Sequence, residues 1–200
     1  MGRRLAVVLL GLALVACSYT DAPLIGRQPA RPPPSRLGAA AIQPSEVPPT
    51  TTCAGSGPSL VGLGAGAAGG LKPAVQRLPS DGQVELWVQL LAISQLDCTG
   101  LATGGGMSPP TAINVLIRYR DEATAARAFG HGLGSLRVGA DGTTAGVATG
   151  LGPSSVTRVT LTPSYAAFRQ HGGTVAYAEI AGLSTDDAAR AARAAGARLG

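Results

Sequence analysis

The stretch Ala112–Leu133, AINVLIRYRDEATAARAFGHGL, decides how this chain is read. Ile113, Val115, Ile117 and Tyr119 alternate with Asn114 and Arg118, a period of two that turns one side of a strand inward and the other outward. After Tyr119 the period changes. Asp121 offers a side-chain oxygen to the open amides of a helix start, and Ala125, Phe129 and Leu133 recur at every fourth position on one helical face. Gly130 and Gly132 weaken the end of that helix.

The flanking segments repeat the theme. Upstream, Val84, Leu86, Val88 and Leu90 alternate with Glu85, Trp87 and Gln89, a half-buried strand whose Leu-rich continuation to Leu96 also suits a helix. Downstream, Ser155–Leu161 reads as a strand, with Val159 and Leu161 on one face, and Pro163 interrupts it. Tyr165–Gln170 and Thr174–Ala181 read as the arms of a hairpin closed by Gly172-Gly173. Ser184 caps a last helix, with Asp187 three residues on and Leu183 placed to staple its start. Asp186 and Asp187 at its positive end and Arg190, Arg193 and Arg198 further along suit the macrodipole. Its inner face is mostly alanine, ending with Leu199, so it should lie close against a sheet. The expected fold class is α+β: a mostly antiparallel sheet with two helices on one face.

The chain opens with MGRRLAVVLLGLALVAC. Arg3 and Arg4 form a positive start and Leu5–Leu14 a short apolar run. Twelve residues to Ala16 make a helix of about 18 Å, short of the ~30 Å hydrocarbon core, so export signal is the expected reading rather than a membrane span. Leu14-Val15-Ala16-Cys17 resembles the lipobox of bacterial lipoproteins. That resemblance implies a diacylglycerol thioether on Cys17, cleavage before it, acylation of the new N-terminus, and a lipid-anchored location on the extracytoplasmic face of the cell membrane.

Removing residues 1–16 leaves 184 residues. Ser18–Pro58 holds nine of the fifteen prolines and no apolar periodicity. Such a composition cannot bury enough surface to offset its ordering entropy, so residues 17–58 are expected to be a lipidated, disordered tether and residues 59–200 a single domain. From Cys17 to Cys53 a flexible chain would average roughly 30–36 Å and a polyproline-like one could approach about 110 Å. Thr50-Thr51-Thr52 beside Pro48-Pro49 reads as plain linker, with O-linked sugar as the alternative.

The formal charge of +5 falls to +3 without Arg3 and Arg4, and it forms no block, so nucleic acid is not an expected partner. Fifteen arginines to one lysine, with abundant Ala and Gly, point to a GC-rich, actinobacterial genome. With Cys17 lipidated, Cys53 and Cys98 remain, an even pair in an oxidising compartment; a Cys53–Cys98 disulfide is expected, two free thiols or a metal pair being the alternatives. No His or third Cys lies near them to complete a zinc set, so neither metal nor other cofactor is expected.

Chemistry is otherwise sparse. Gly64–Gly69, GAGAAG, matches the dinucleotide fingerprint, with Glu85 about twenty residues on, but no strand precedes it and no helix opens on it, so it reads as a glycine-rich loop. His131 sits at a helix end and His171 at a hairpin turn. Neither falls in a nucleophile elbow, a zinc-binding helix or a C-x-x-C context. No catalytic residue is assigned. Asp81, Glu85, Asp97, Glu122 and Glu179 are isolated acids, and Arg118 and Arg120 suit a solvent face. Trp87, Tyr119, Phe129, Tyr165, Phe168 and Tyr177 are core candidates; imperfect packing among so much Ala and Gly would leave an apolar pocket.

Ala148–Pro153 before a strand, with the closing run GGTVAYAEIAGLSTDDAARAARAAGARL, resembles exported lipoprotein and sensor-type ectodomains of actinobacteria, many with a PsbP-like α+β sandwich. The resemblance implies a fold and transfers no functional residue. The expected function is a membrane-tethered, non-enzymatic binding or interaction module of the envelope, its partner an apolar ligand or an envelope protein. An envelope hydrolase with a dispersed Ser/His/acid site using His131 or His171 is one alternative, and a structural cell-wall spacer is another.

Overall fold

The computed structural model describes residues 35–58, 78–103, 107–133, 142–160 and 164–199. Cys17, Leu161 and the Gly64–Gly69 loop lie outside them. Seven strands, β1 (Thr51–Thr52), β2 (Gln83–Ala92), β3 (Thr111–Tyr119), β4 (Thr143–Ala145), β5 (Ser155–Thr160), β6 (Ser164–His171) and β7 (Thr174–Ala181), form one antiparallel sheet in the order β1-β2-β3-β7-β6-β5-β4. Among the described residues four α-helices accompany it: α1 (Arg36–Ala40), α2 (Gln95–Thr103), α3 (Glu122–Leu133) and α4 (Thr185–Ala197). The architecture is α+β, as the alternating patterns indicate.

Local chemistry sets the element ends. The Asp121 carboxylate accepts from Thr124 N at 2.6 Å and starts α3. Ser184 Oγ accepts from Asp187 N at 3.2 Å, and Arg190 closes on Asp187 at 2.6 Å. Ser94 caps α2 by accepting from Asp97 N at 3.1 Å, so the Leu-rich run divides into the end of β2 and the start of a helix. Gly172, at φ 50°, supplies the left-handed turn of the β6–β7 hairpin.

The helices do not share one face. Ile113, Val115, Ile117 and Tyr119 of β3 pack with Ala125, Ala128 and Phe129 of α3 and with Cys98 and Leu101 of α2. Phe129 stacks on Phe168 of β6 with centroids 4.8 Å apart. The even residues of the same strand point the other way: Ala112 joins the core under α4, and Leu116 joins one built with Leu37, Ala40 and Ala41. Pattern reading assigned the second face to solvent, and Asn114 contradicts that directly, being only 2% exposed. Alternation marks which residues share a side; it does not say that the other side is wet.

What covers the second face overturns the expected domain boundary as well. Residues 35–53 are not tether: Leu37, Ala40, Ala41, Ile42, Val47 and Cys53 are buried. Ser35 Oγ donates to Glu85 at 2.5 Å, and Glu85 also pairs with Arg118 at 2.8 Å. Gly38 lies so close to the Trp87 ring that a Cβ there would sit 2.9 Å from Cε2. Ile42 N donates to Asn114 Oδ1 at 3.0 Å, while Asn114 Nδ2 donates to Tyr177 O at 2.7 Å. Thr51-Thr52 is strand β1, paired with Leu91 and Ala92, rather than linker. The strap then ends at Cys53, whose N donates to Leu90 O at 2.9 Å and whose sulfur is bonded to Cys98. Proline content misled because Pro44 opens a short 3₁₀ helix and Pro48 and Pro49 sit in a turn, between a few well-spaced apolar anchors that a density argument averages away.

Two predictions follow from the strap. Ile42→Ala should destabilise the protein by about 2–4 kcal/mol in urea unfolding, since a fully buried side chain leaves a void; a tether position would change stability by less than about 0.5 kcal/mol. The second concerns acid. Burial works to raise the Glu46 carboxyl, but bonds from Arg198 and from Gln43 N, with the Arg198 charge, hold it below the ordinary value. Arg198 grips it bidentately at 2.7 and 2.8 Å. A depressed carboxyl contributes stability that is present above its unfolded pKa and is lost as pH falls through the folded value. Amides near Val47 should therefore lose exchange protection below about pH 4, and Glu46→Gln should abolish that pH dependence.

Candidate functional site

Among the described residues with chemical potential in the sequence, Cys53 is brought to Cys98 and Glu85 to Arg118. Cys53 and Cys98 form a disulfide with Cα atoms 5.5 Å apart, linking the strap's end to α2. His131, in the last turn of α3, and His171, at the end of β6, are both exposed. Among the described residues neither imidazole is hydrogen-bonded to a serine or a carboxylate, and no three His, Cys, Asp or Glu side chains cluster in a way that could hold a metal. No described helix is long and apolar enough to cross a membrane.

The aromatics pack as core. Tyr119, Phe129, Tyr165, Phe168 and Tyr177 are buried and Trp87 is half-buried. Burial raises the Tyr119 hydroxyl to about 12 while it donates to Pro79 O at 3.0 Å. The apolar gap expected from so many small residues exists between α4 and the sheet, lined by Leu116, Leu151, Ala178 and Ala195, but its volume is about 20 Å³. That is room for about one water, not for an apolar ligand. A groove of about 400 Å³ runs between Pro48 and α4. Its charges are already spent on each other, Glu46 with Arg198 and Asp187 with Arg190.

A third cleft has a different character. It holds about 320 Å³ and is walled by Gly150, Leu151, Arg169, His171, Arg193, Gly196 and Ala197, three basic side chains and no carboxylate. Arg169 reaches it because β6 alternation gives it the same side as Tyr165 and Ala167, beneath α4. The helix tolerates an arginine there only through its small residues: a Cβ on Gly196 would lie 2.2 Å from Arg169 Nη1. Arg169 Nη2 donates to Gly196 O at 3.2 Å, a favourable contact for a cation near a helix C-terminus. Its Nε is buried with no partner, and burial lowers its pKa.

Arg193, from α4, extends over Gly150, approaching within 3.6–3.7 Å of where a Cβ would be. Gly150 sits at φ 72°, and the loop it begins is fixed by a buried hydroxyl knot. Thr149 Oγ1 lies 2.6 Å from Ser155 Oγ, which donates to Gly152 O at 2.5 Å, and Leu151 N donates to Thr149 Oγ1 at 3.0 Å. The cleft thus sets a hydrogen-bonded loop beside two guanidinium groups. Sequence reading took Arg193 as macrodipole chemistry and passed over Arg169. The available signal was parity, a charged residue in step with Tyr165 and Ala167, opposite a stripe of alanines.

No protein-family model matches this chain, and no curated protein shows significant similarity to it.

Proposed function

We propose that this protein is a lipid-anchored lipoprotein of the cell envelope whose folded unit is a non-enzymatic binding module. The observation that carries this reading is the pairing of the three cysteines' fates: Cys17 completes Leu14-Val15-Ala16-Cys17, and the other two are joined in a disulfide. A disulfide of this kind is at home in an oxidising, extracytoplasmic compartment. Residues 17–34, which begin with Cys17, lie outside the described residues.

Binding is favoured over hydrolysis because the open cleft presents unpaired cations rather than a nucleophile with its base. His171 lines that cleft with two arginines and no acid, and His131 is on the opposite side of the sheet with α3. A purely structural spacer has no use for such a cleft.

The anchor is tested by Cys17→Ala. The variant should accumulate with its signal uncleaved and take up no labelled fatty acid in growing cells. Undiminished labelling would overturn the assignment of Cys17 as the lipidated residue.

A further inference from the structure

We infer that the cleft between the end of α4 and the Gly150–Gly152 loop is a binding site for a phosphate group, held by Arg169 and Arg193 with His171 at the rim. The inference rests on the reading of the folded unit as a binding module and gives it a ligand class. Of the nine described arginines, Arg118, Arg120, Arg190 and Arg198 are ion-paired with carboxylates and five are not; of those five, Arg169 and Arg193 line one cleft together. Arg169 is the costly member, since a partly buried guanidinium with an unsatisfied Nε carries a desolvation penalty that one backbone carbonyl at 3.2 Å does not offset.

The chemistry of the donors selects the ligand. A carboxylate is satisfied by a single guanidinium fork. Two forks and an imidazole supply more donors and charge than it can use, and they suit a tetrahedral oxyanion with several acceptor oxygens. The opposing walls are backbone and small side chains, Gly150, Gly196 and Ala197, so the anion can approach the guanidinium groups closely. The helix C-terminus nearby disfavours an anion, but Arg169 already covers the Gly196 carbonyl.

The test uses the mature lipidated protein in neutral detergent, at constant ionic strength, with inorganic phosphate as probe. NMR of the guanidinium Nε–H signals should show saturable shifts of Arg169 and Arg193. Arg193→Gln should weaken binding about tenfold, the loss of one charge-assisted contact, whereas Arg190→Gln, on the same helix but outside the cleft, should leave it unchanged. Arg169→Gln also loses the contact to Gly196 and could unfold the end of α4, so Arg193→Gln is the deciding variant. A second arm replaces phosphate with phosphatidylglycerol vesicles. Shifts with vesicles that soluble phosphate reverses identify a lipid headgroup; shifts with soluble phosphate alone identify a free phosphate-bearing molecule. No saturable shift with either probe, or equal weakening by Arg190→Gln, overturns the site. The Cys17 labelling experiment is independent of this result, so the site can fail while the anchored-module reading stands.

Discussion

Asn114 holds the two halves of this molecule together. It lies near the middle of β3, the third strand of seven, and spends both ends of its amide on groups that have few other options: Ile42 N of the strap and Tyr177 O of β7. A buried amide left half-bonded costs about 1–3 kcal/mol, so the sheet needs the strap as much as the strap needs the sheet. With Ile42 fixed, Leu37 and Val47 fall onto the face of the sheet that carries Ala112 and Leu116 of β3, and Arg198 at the end of α4 closes on Glu46. The two ends of the folded unit are thus joined through one face of one sheet.

That arrangement also explains the cleft. A helix made of Ala188, Ala191, Ala192, Ala195 and Gly196 can approach the sheet closely enough to trap Arg169 beneath it. Larger residues would fill the space and expel the charge; as built, the layer is nearly void-free, with about 20 Å³ left beside Asn114. Apolar burial is complete inside, and the cationic chemistry is displaced to the rim where α4 ends. The disulfide performs a related task at the far edge of the sheet. It pins the end of the strap to α2 across a separation of 45 residues, which in the chain-entropy picture contributes about 4 kcal/mol.

Much of the fold was legible because its signals were local. Asp121 and Ser184 are caps whose partners lie three residues away, Gly172 is a turn residue between two alternating runs, and the alanine face of α4 repeats at helical spacing. What escaped was non-local. Nothing adjacent to Asn114 in sequence announces that its partner is 72 residues upstream, and a Pro-rich segment with four or five spaced apolar anchors reads as linker until the face it covers is known. The same holds for the helices, expected on one face and found on two. The cleft was hidden for a further reason: Arg169 and Arg193 each have an ordinary role on their own element, and only the packing of α4 on β6 brings them to one place.

The central claim is that residues 35–53 are part of the folded unit, locked by the Asn114–Ile42 bond. Native-state hydrogen exchange of the Ile42 amide measures that bond directly. The account predicts protection comparable to that of the β3 amides, lost only with global unfolding. Exchange of Ile42 at the rate of an unprotected chain, while Val115 and Ile117 remain protected, would contradict it.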